Sequence, residues 1–544
     1  MRRHQRALVV IICVLLCLAA FFAWKASVRD KSAEVSAHML DFNRDLERAA
    51  VDDDHRTTYE VFVYSFCDSN GDGTGDLNGI RTKLDYIEDL GFDALWLTPV
   101  HPSATYHKYD VDDYYAIDPE FGTMEDYEAL VTECHARGIR VYMDLVFNHT
   151  SEDHSWFKAA SDYLHELPSG WDPDPSYCKY YDYYNFSREP ADGYSYLDGT
   201  EWYYESRFWS EMPDLNLNSD AVRGEIRDIM AYWLAAGVDG FRLDAVTSYF
   251  EGDTGANTEF LRFLTETAHS IDPDCYLVGE AWTDRDTIAA LYTSGIDSLF
   301  DFPFAGQGGC IEQIMNGARP AADYVEEMLQ AESAYRYANP DYTDALFYTN
   351  HDMERSAGYY PDDNGAKAKM AYAMNLFMTG NAFVYYGEEI GMSGAGKDEN
   401  KRAPMYWSAD PQDPDMCVGP PYMDEVYMKY PPAADQMNDE MSLHRWFAEV
   451  IRVRNAFPAI ARGVTEQADS ISDDQVAAFY RRSDEHDDLL IVMNLRGQTA
   501  EKHLPSAGRG SRLAAVLNTN DENIICTGST VTLPAYSIAV FTME

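Results

Sequence analysis

The sequence predicts an α/β protein built on a (β/α)₈ barrel, with a small domain inserted after the third strand and an antiparallel β-domain at the C-terminus. Three observations support this fold class. Eight short apolar runs alternate with helical patterns between residues 59 and 386. About sixty residues interrupt the alternation after the third run. Beyond residue 461, short β-rich runs separated by Gly, Asn and Asp replace it.

Residues 55–150 and 211–460 are predicted to form the barrel, domain A. Apolar residues that recur every three or four positions predict helices between the strands, for example over 124–137 and 221–236. Eight strands that alternate with helices are typical of a TIM barrel. The predicted strands cover residues 59–66, 94–100, 140–147, 240–246, 276–279, 298–302, 346–349 and 383–386.

The insertion at residues 151–210 is predicted to form a small domain B on the catalytic face of the barrel. It contains 17 aromatic residues, about twice the aromatic fraction of the whole chain, and a structureless loop of this length would be unusual. Residues 461–544 are predicted to form domain C, which has no cluster of catalytic residue types and is expected to be structural. Its predicted strands cover 475–481, 489–494, 512–517 and 537–542.

The N-terminus predicts an export signal or a membrane anchor within residues 1–26. Three arginines in the first six residues precede 18 consecutive apolar residues. No small-residue cleavage motif follows, which favours an uncleaved anchor over a removed signal. Because the positive flank stays inside, the rest of the chain is expected outside the cytoplasm, membrane-anchored or secreted. Residues 27–54 are predicted to form a polar stalk.

The composition argues against several classes of protein. The 544 residues are 46% hydrophobic and 14% aromatic, which excludes a disordered chain and a disulfide-stapled mini-protein. The chain has 92 acidic and 42 basic residues, a formal net charge of −50. Such a surface repels phosphate backbones, so we expect no nucleic-acid partner. A neutral or cationic ligand or a bound metal remains compatible with this charge.

Polar side chains collect at the C-terminal ends of the predicted strands, where a barrel places its active site. Asp244 lies on the fourth strand, Glu280 ends the fifth and Asp352 follows the seventh. Arg242 stands two residues before Asp244, and His351 directly precedes Asp352. Three carboxylates at one mouth, with basic residues beside two of them, indicate a catalytic centre rather than three separate helix caps.

The sequence around these residues resembles the four signature regions of the α-amylase family, glycoside hydrolase family 13. The runs read DLVFNHT, GFRLDAV, GEAW and TNHDMER, in family order and on the expected strands. MPDLN (212–216) resembles a further region typical of bacterial members intermediate between oligo-1,6-glucosidases and neopullulanases. The resemblance extends from about residue 59 to the C-terminus. It implies barrel domain A, inserted domain B and a C-terminal β-sandwich as domain C.

The resemblance also implies a retaining glycosidase. Asp244 would be the nucleophile, Glu280 the acid/base and Asp352 the transition-state stabiliser. This chemistry needs one carboxylate to form the glycosyl ester and another to protonate the leaving oxygen. Arg242 points to the same side of its strand as Asp244 and would keep that carboxylate ionised. Partial burial would raise the pKa of Glu280 toward that of an acid.

The expected substrate is a starch-type α-1,4-glucan that is cut internally. His149 and His351 resemble the family's donors to the hydroxyls of the attacked sugar, and Tyr109 resembles its stacking platform. Exo-acting members typically place an Asp at the position of Tyr106, where it closes the pocket. Tyr106 therefore favours an open cleft. An exo-acting α-glucosidase or oligo-1,6-glucosidase, or a neopullulanase-like enzyme, is the alternative.

Two alternatives without catalysis are weaker. An anchor followed by a barrel of this family also resembles the heavy chains of heteromeric amino-acid transporters, which serve as non-catalytic trafficking subunits. Those chains typically lose the catalytic carboxylates, whereas Asp244, Glu280 and Asp352 are all present here. A catalytically silent glycan-binding module is disfavoured for the same reason.

The run after the first predicted strand indicates a calcium site. Oxygen ligands at positions 1, 3, 5 and 9, a Gly at position 6 and a backbone carbonyl at position 7 are typical of a calcium loop. Family members with this DxNGDGxGD stretch bind Ca²⁺ there. Position 12 is Gly79 rather than Glu, so the loop is not a complete EF-hand, and a metal-free turn is the alternative. The predicted ligands are Asp68, Asn70, Asp72, Thr74 and Asp76.

Overall fold

The centre of the molecule is a barrel of eight parallel strands, so the predicted fold class is confirmed. The structure is a computed structural model that describes residues 34–49, 53, 55–504 and 511–543. Successive strands pair in parallel, the eighth pairs with the first, and a bridge between Phe300 and Ala345 joins the sixth to the seventh. In chain order the barrel strands are Thr57–Val61, Ala94–Leu97, Arg140–Leu145, Gly240–Leu243, Tyr276–Gly279, Ser298–Leu299, Ala345–Phe347 and Asn381–Tyr385.

Helices between the strands pack on the outside of the barrel. The helix Met124–Ala136 shows why they form: Thr123 and Asp126 make a capping box, and the buried residues recur at three- and four-residue spacing. The barrel helices are Leu77–Thr82, Leu84–Leu90, Met124–Ala136, Asp220–Ala235, Thr254–Ile271, Arg285–Tyr292, Cys310–Met315, Asp323–Ala338, Ala366–Leu376 and Leu443–Ala456.

The segment predicted as domain B has secondary structure of its own. The helix Ser155–Glu166 packs beside an antiparallel sheet made of Phe186–Ser187, Tyr194–Tyr196 and Tyr203–Glu205. Its aromatic residues form a small core, in which the ring centroid of Phe157 lies 4.9 Å from that of Tyr204.

The C-terminal segment forms two antiparallel sheets with a shared apolar core, as expected for domain C. Four of its strands lie where the sequence predicts them, and the others are shorter. One sheet contains Val464–Gln467, Val476–Arg482, Leu489–Asn494, Arg512–Asn518 and Ser537–Thr542. The second sheet contains Val35–Ala37, Ala500–His503, Ile524–Thr527 and Thr530–Leu533.

Residues 34–49 differ from the polar stalk predicted over 27–54, because they fold onto domain C. The strand Val35–Ala37 pairs with Ile524–Thr527, and the helix Met39–Phe42 follows it. Asn43 is buried and exchanges two hydrogen bonds with the backbone of Val516, at 2.7 and 3.1 Å. Although this segment is polar overall, the apolar Ala37 and Met39 and the hydrogen-bonded Asn43 are buried.

The predicted signal or anchor, residues 1–26, lies outside the described residues. Within the described ranges, no helix is both long and apolar enough to cross a membrane.

The connection after the eighth strand is the longest between a barrel strand and its helix apart from the insertion. It runs from residue 386 to 442 and contains the short helices Asp398–Lys401 and Ala433–Gln436; a third short helix, Ala459–Arg462, leads into domain C. Residues 396–399, 402 and 421–422 of this connection line the mouth of the barrel.

Candidate active site

The three predicted catalytic carboxylates lie together at the C-terminal mouth of the barrel. Asp244, Glu280 and Asp352 line one cleft with a volume of about 990 Å³. Asp244 and Glu280 are only 7% and 8% exposed, whereas the side chain of Asp352 is 30% exposed. The strands thus bring together three residues that are up to 108 positions apart in the sequence.

Arg242 joins two of these carboxylates at the base of the cleft. Its NH1 group donates to Asp244 Oδ1 at 2.7 Å and to Asp144 Oδ1 at 2.9 Å. Its NH2 group lies 2.9 Å from Glu280 Oε1, an ion-pair distance without the angle of a hydrogen bond. Arg242 and Asp244 face the same side because residues two apart on a strand do so.

Burial and charge set the ionisation of these two carboxyls. Burial raises the pKa of Asp244 to about 6, although Arg242 acts to lower it. Arg242 was predicted to keep Asp244 ionised. Burial opposes this influence of Arg242, but a pKa of about 6 still leaves Asp244 mostly ionised at neutral pH. Burial also raises the pKa of Glu280, and the charge of Asp244 adds to this rise. The pKa of each carboxyl therefore lies above that of a solvated carboxyl.

Asp352 is held on the other side of the cleft by two cations. Its Oδ2 lies 3.0 Å from His351 Nε2, and its Oδ1 accepts a hydrogen bond from Arg402 NH2 at 2.6 Å. Burial acts to raise the pKa of Asp352, but these charges hold it well below its usual range. Burial acts to lower the pKa of His351, whereas Asp352 and Glu60 raise it to about 10. Asp352 is thus a permanent anion.

The predicted sugar-binding residues differ in their access to the cleft. Tyr106, Tyr109 and His149 line it. Burial lowers the pKa of His149 to about 4, and its Nε2 has no hydrogen-bond partner among the described residues. His351 is fully buried, with Nδ1 bound to Glu60 and Nε2 beside Tyr109 and Asp352. The buried Nε2 of a neutral His149 is therefore unpartnered among the described residues, whereas His351 is engaged by protein groups.

Three residues of the site escaped the sequence analysis. Asp144 accepts hydrogen bonds from Arg242 and from the Tyr109 hydroxyl, at 2.9 Å each. Glu60 accepts from His351 Nδ1 at 2.7 Å. Glu60 and Asp144 are each an acidic residue between two apolar residues of a buried barrel strand, and this pattern could have identified them from the sequence. Arg402, whose NH1 also donates to the Tyr106 hydroxyl at 2.8 Å, lies in a long connection where no local pattern distinguishes it.

The backbone is strained beside two of the site residues. Lys108 and Ala245 have φ angles of +63° and +49°, in the left-handed region that non-glycine residues seldom adopt. They adjoin Tyr109 and Asp244. The buried Lys108 ammonium is fixed 2.9 Å from Asp118, so surrounding contacts hold this conformation. Strain of this kind is commonly found where a fold positions functional side chains.

The predicted calcium loop folds as a series of tight turns after the first barrel strand. Side-chain oxygens of Asp68, Asn70 and Asp72 each accept from the amide two residues ahead, at 2.8 to 3.0 Å. Asp76 Oδ1 accepts from Gly79 N at 2.7 Å. Carboxylate and carboxamide oxygens are the ligands that Ca²⁺ prefers, so the donor chemistry fits. Among the described residues, no group of three or more His, Cys, Asp or Glu is arranged to hold a metal.

Known proteins resemble this chain throughout its barrel. The family model "Alpha amylase, catalytic domain" matches residues 60–463. Alpha-amylase 3 of Dictyoglomus thermophilum is 42% identical over 360 residues, covering 65% of this chain and 67% of that protein. Oligo-1,6-glucosidase of Heyndrickxia coagulans is 29% identical over 533 residues, covering 82% and 92%. The structure of Eubacterium rectale Amy13B has a TM-score of 0.92 and 46% identity, covering 94% of this chain and 99% of that one.

The family match and the geometry of the mouth agree. The matched region contains all eight barrel strands apart from the first few residues of strand one, and it contains the three carboxylates that converge in the cleft. The chain belongs to the α-amylase family of glycoside hydrolases, glycoside hydrolase family 13.

Proposed function

We propose that the protein is a retaining glycosidase that hydrolyses α-1,4-glucosidic bonds in starch and maltodextrins by double displacement, cutting within the chain. The observation that carries the proposal is the contact of one guanidinium, that of Arg242, with both Asp244 and Glu280. Retaining enzymes keep their two carboxyls about 5 Å apart, whereas inverting enzymes leave room for a water between them. A shared Arg favours the closer arrangement.

In the first step, the ionised Asp244 attacks the anomeric carbon while Glu280 gives its proton to the leaving glycosidic oxygen. In the second step, the Glu280 carboxylate takes a proton from water, which displaces Asp244 from the sugar. The backbone amide of Ala245 donates to Glu280 Oε2 at 3.1 Å and orients this carboxyl. The fixed negative charge of Asp352 stabilises the positive charge that develops on the sugar ring.

Two side chains are proposed to hold the attacked sugar. Tyr109 presents an aromatic face, and its ring is fixed by stacking on His351 at 5.3 Å with an interplanar angle of 11°. The unpartnered Nε2 of the neutral His149 is suited to a sugar hydroxyl.

Internal cutting is supported by the size of the cleft. Its volume of about 990 Å³ lies at the upper end of the range of small-ligand pockets, about 300–1,000 Å³, and leaves room for more than one sugar. One observation favours the exo-acting alternative. Arg402 donates hydrogen bonds to both Tyr106 and Asp352, and this pair of contacts could close one end of the cleft. The similarity to an oligo-1,6-glucosidase keeps α-1,6 cleavage as a candidate within that alternative.

Product profiles separate these activities. Internal cutting breaks few bonds for each loss of chain length, so iodine staining of starch should fall faster than reducing ends appear. Maltose and maltotriose should accumulate from maltoheptaose. Glucose as the first and dominant product would replace the proposal by the exo-acting alternative, and cleavage of pullulan would report on α-1,6 or neopullulanase-like activity. No turnover of any glucan would favour a non-catalytic subunit.

We also propose that the loop at residues 68–76 binds Ca²⁺, through Asp68, Asn70, Asp72, Asp76 and the carbonyl of Thr74. The hard-oxygen donor set supports this, and the ion would cross-link the loop that follows the first barrel strand.

We further propose that residues 1–26 place the enzyme outside the cytoplasm, as an anchor or as an export signal. The pattern of three arginines before an apolar run supports this. Cell fractionation of the full chain and of a chain lacking residues 1–26 tests it, because equal amounts in the cytoplasmic fraction would contradict it.

A further inference from the structure

The connection after the eighth strand presents an aromatic ring at the rim of the catalytic cleft. Tyr422 is 88% exposed and lines the same cleft as Asp244 and Glu280, which are 7% and 8% exposed. The catalytic carboxyls therefore lie at the base of the cleft and Tyr422 lies at its outer edge.

The backbone of Tyr422 is held in place by contacts with neighbouring residues. Its φ angle is +66°, in the left-handed region. The Tyr422 carbonyl accepts a hydrogen bond from Lys397 Nζ at 3.3 Å, and the same ammonium lies 2.7 Å from Asp424 Oδ1. Asn400 exchanges two further hydrogen bonds with Asp424, at 2.9 and 3.1 Å. An exposed ring buries little surface and a left-handed Tyr is unfavourable, so neither feature stabilises the fold.

The same rim supplies polar groups suited to a sugar. Asp398 and Glu399 line the cleft together with Tyr422. An aromatic face packs on the apolar side of a pyranose, and carboxylates accept hydrogen bonds from its hydroxyls. The helix Asp398–Lys401 continues to the catalytic centre, where Lys401 Nζ donates to the carbonyl of Asp352 at 2.9 Å. The rim and Asp352 are thus joined by one short, bonded segment.

We propose that Tyr422, with Asp398 and Glu399, forms an outer subsite for a sugar unit of an α-glucan chain, beyond the two units joined by the cleaved bond. The inference rests on the proposed function and deepens it, because it makes the enzyme selective for chains long enough to reach the rim.

The test replaces the ring and compares substrates of different length. Tyr422→Ala should lower kcat/KM for maltoheptaose about tenfold, mainly through KM, because a stacked ring is lost. The proposal expects the three units of maltotriose to occupy the positions around the cleaved bond, so kcat/KM for maltotriose should stay within about twofold of wild type. Tyr422→Phe keeps the ring and should match wild type. Equal losses on both substrates, or no loss on maltoheptaose, would overturn the subsite.

Tyr427→Ala is the matched control. Tyr427 lies in the same connection and is 86% exposed, but it lies outside the cleft. This variant should match wild type on every substrate, and a loss as large as that of Tyr422→Ala would mean that the connection acts only through its folding. Because both rings are exposed, both Ala variants should melt at the wild-type temperature.

Wild-type turnover tests the proposed function independently of the variants. If wild type cleaves isomalto-oligosaccharides and not malto-oligosaccharides, the α-1,4 proposal fails, and the same variants on an isomalto series of increasing length test the subsite. If wild type cleaves neither series, the subsite falls together with the proposed function.

Discussion

Arg242 contacts the carboxylates of Asp244 and Glu280 unequally, and we expect this difference to favour Asp244 as the nucleophile and Glu280 as the acid. Asp244 accepts a true hydrogen bond from NH1 at 2.7 Å, whereas Glu280 lies 2.9 Å from NH2 outside hydrogen-bonding angles. The two carboxyls are close enough that ionisation of one disfavours ionisation of the other. Burial raises the pKa of both carboxyls, and of the two only Asp244 accepts a hydrogen bond from Arg242.

This division predicts the effects of removing either carboxylate. Asp244→Asn should lower kcat by several orders of magnitude and leave substrate binding largely intact, because the contacts remain and the nucleophile does not. Glu280→Gln should keep its glycosylation rate on an aryl maltoside with a good leaving group, which needs no proton. Single-turnover kinetics measure that step. An equal loss on good and poor leaving groups would show that Glu280 is not the acid.

The pH dependence of kcat/KM follows from the same pair. Asp244 must be ionised, and its pKa is raised to about 6, so activity should fall as the pH drops through about 6. Glu280 must be protonated, and its pKa is also raised, so activity should fall again at higher pH as that proton is lost. A bell-shaped profile is expected. An acid limb near pH 4, the usual range of a solvated Asp, would contradict the effect of burial.

At the scale of elements, the sequence predicts what depends on local pattern. The barrel strands are buried and mostly apolar, and all eight were located within a few residues. The largest shift is in the first strand, predicted at 59–66 and observed at Thr57–Val61, because the polar Thr57 and Thr58 are buried in it. The strands Ala500–His503 and Thr530–Leu533 were missed, since only some of their residues are buried and the apolar pattern is short.

Site residues, like strands, could be predicted only where a local sequence pattern or the geometry of the barrel places them. Asp244 and Glu280 could be predicted because a barrel fixes where the C-terminal ends of its strands meet. Arg402 and Tyr422 could not, because the path of the connection over residues 386–442 depends on long-range contacts, such as that of Lys401 with the carbonyl of Asp352.

The loop at residues 68–76 is the element whose behaviour a metal would change most. If Ca²⁺ binds there, a chelator should lower Tm, since binding at a hundredfold excess over Kd stabilises the native state by about 3 kcal/mol. Asp72→Ala should abolish this sensitivity. Asp362→Ala, at an exposed Asp outside the loop, should keep it. A wild-type Tm that does not respond to chelator would leave the loop as a metal-free turn.

At the scale of the whole molecule, two buried arginines meet the C-terminal end of one barrel helix, Arg454 from another barrel helix and Arg481 from domain C. Arg454 NH1 donates to the carbonyls of Leu376 and Met378, at 2.6 and 2.9 Å. Arg481, on a strand of domain C, donates to the carbonyl of Phe377 at 2.7 Å. These carbonyls lie at the C-terminal end of the helix Ala366–Leu376, where the last carbonyls have no N–H donors within the helix and where positive charge is favourable. Through Arg481, domain C therefore supplies a hydrogen-bond donor to the end of a barrel helix.

Arg481 also compensates a buried carboxylate, and this predicts how the domains depend on each other. Its NH1 lies 3.3 Å from Glu332 Oε1, and both side chains are at most 10% exposed. Arg481→Met should lower the free energy of unfolding by about 3 kcal/mol, because it leaves Glu332 buried without a counter-charge. The double variant with Glu332→Gln should recover part of that loss.

Arg482 provides the control for this prediction. It is the next residue on the strand, but its side chain is 38% exposed and pairs with Glu466 and Asp488 at the surface. Arg482→Met should therefore cost at most about 1 kcal/mol. Urea unfolding followed by intrinsic fluorescence measures all three variants. If Arg481→Met and Arg482→Met shift the midpoint equally, burial of the ion pair does not decide the stability of the interface. A larger shift for Arg481→Met, reduced in the double variant, would show that the buried ion pair with Glu332 stabilises the contact between domain C and the barrel.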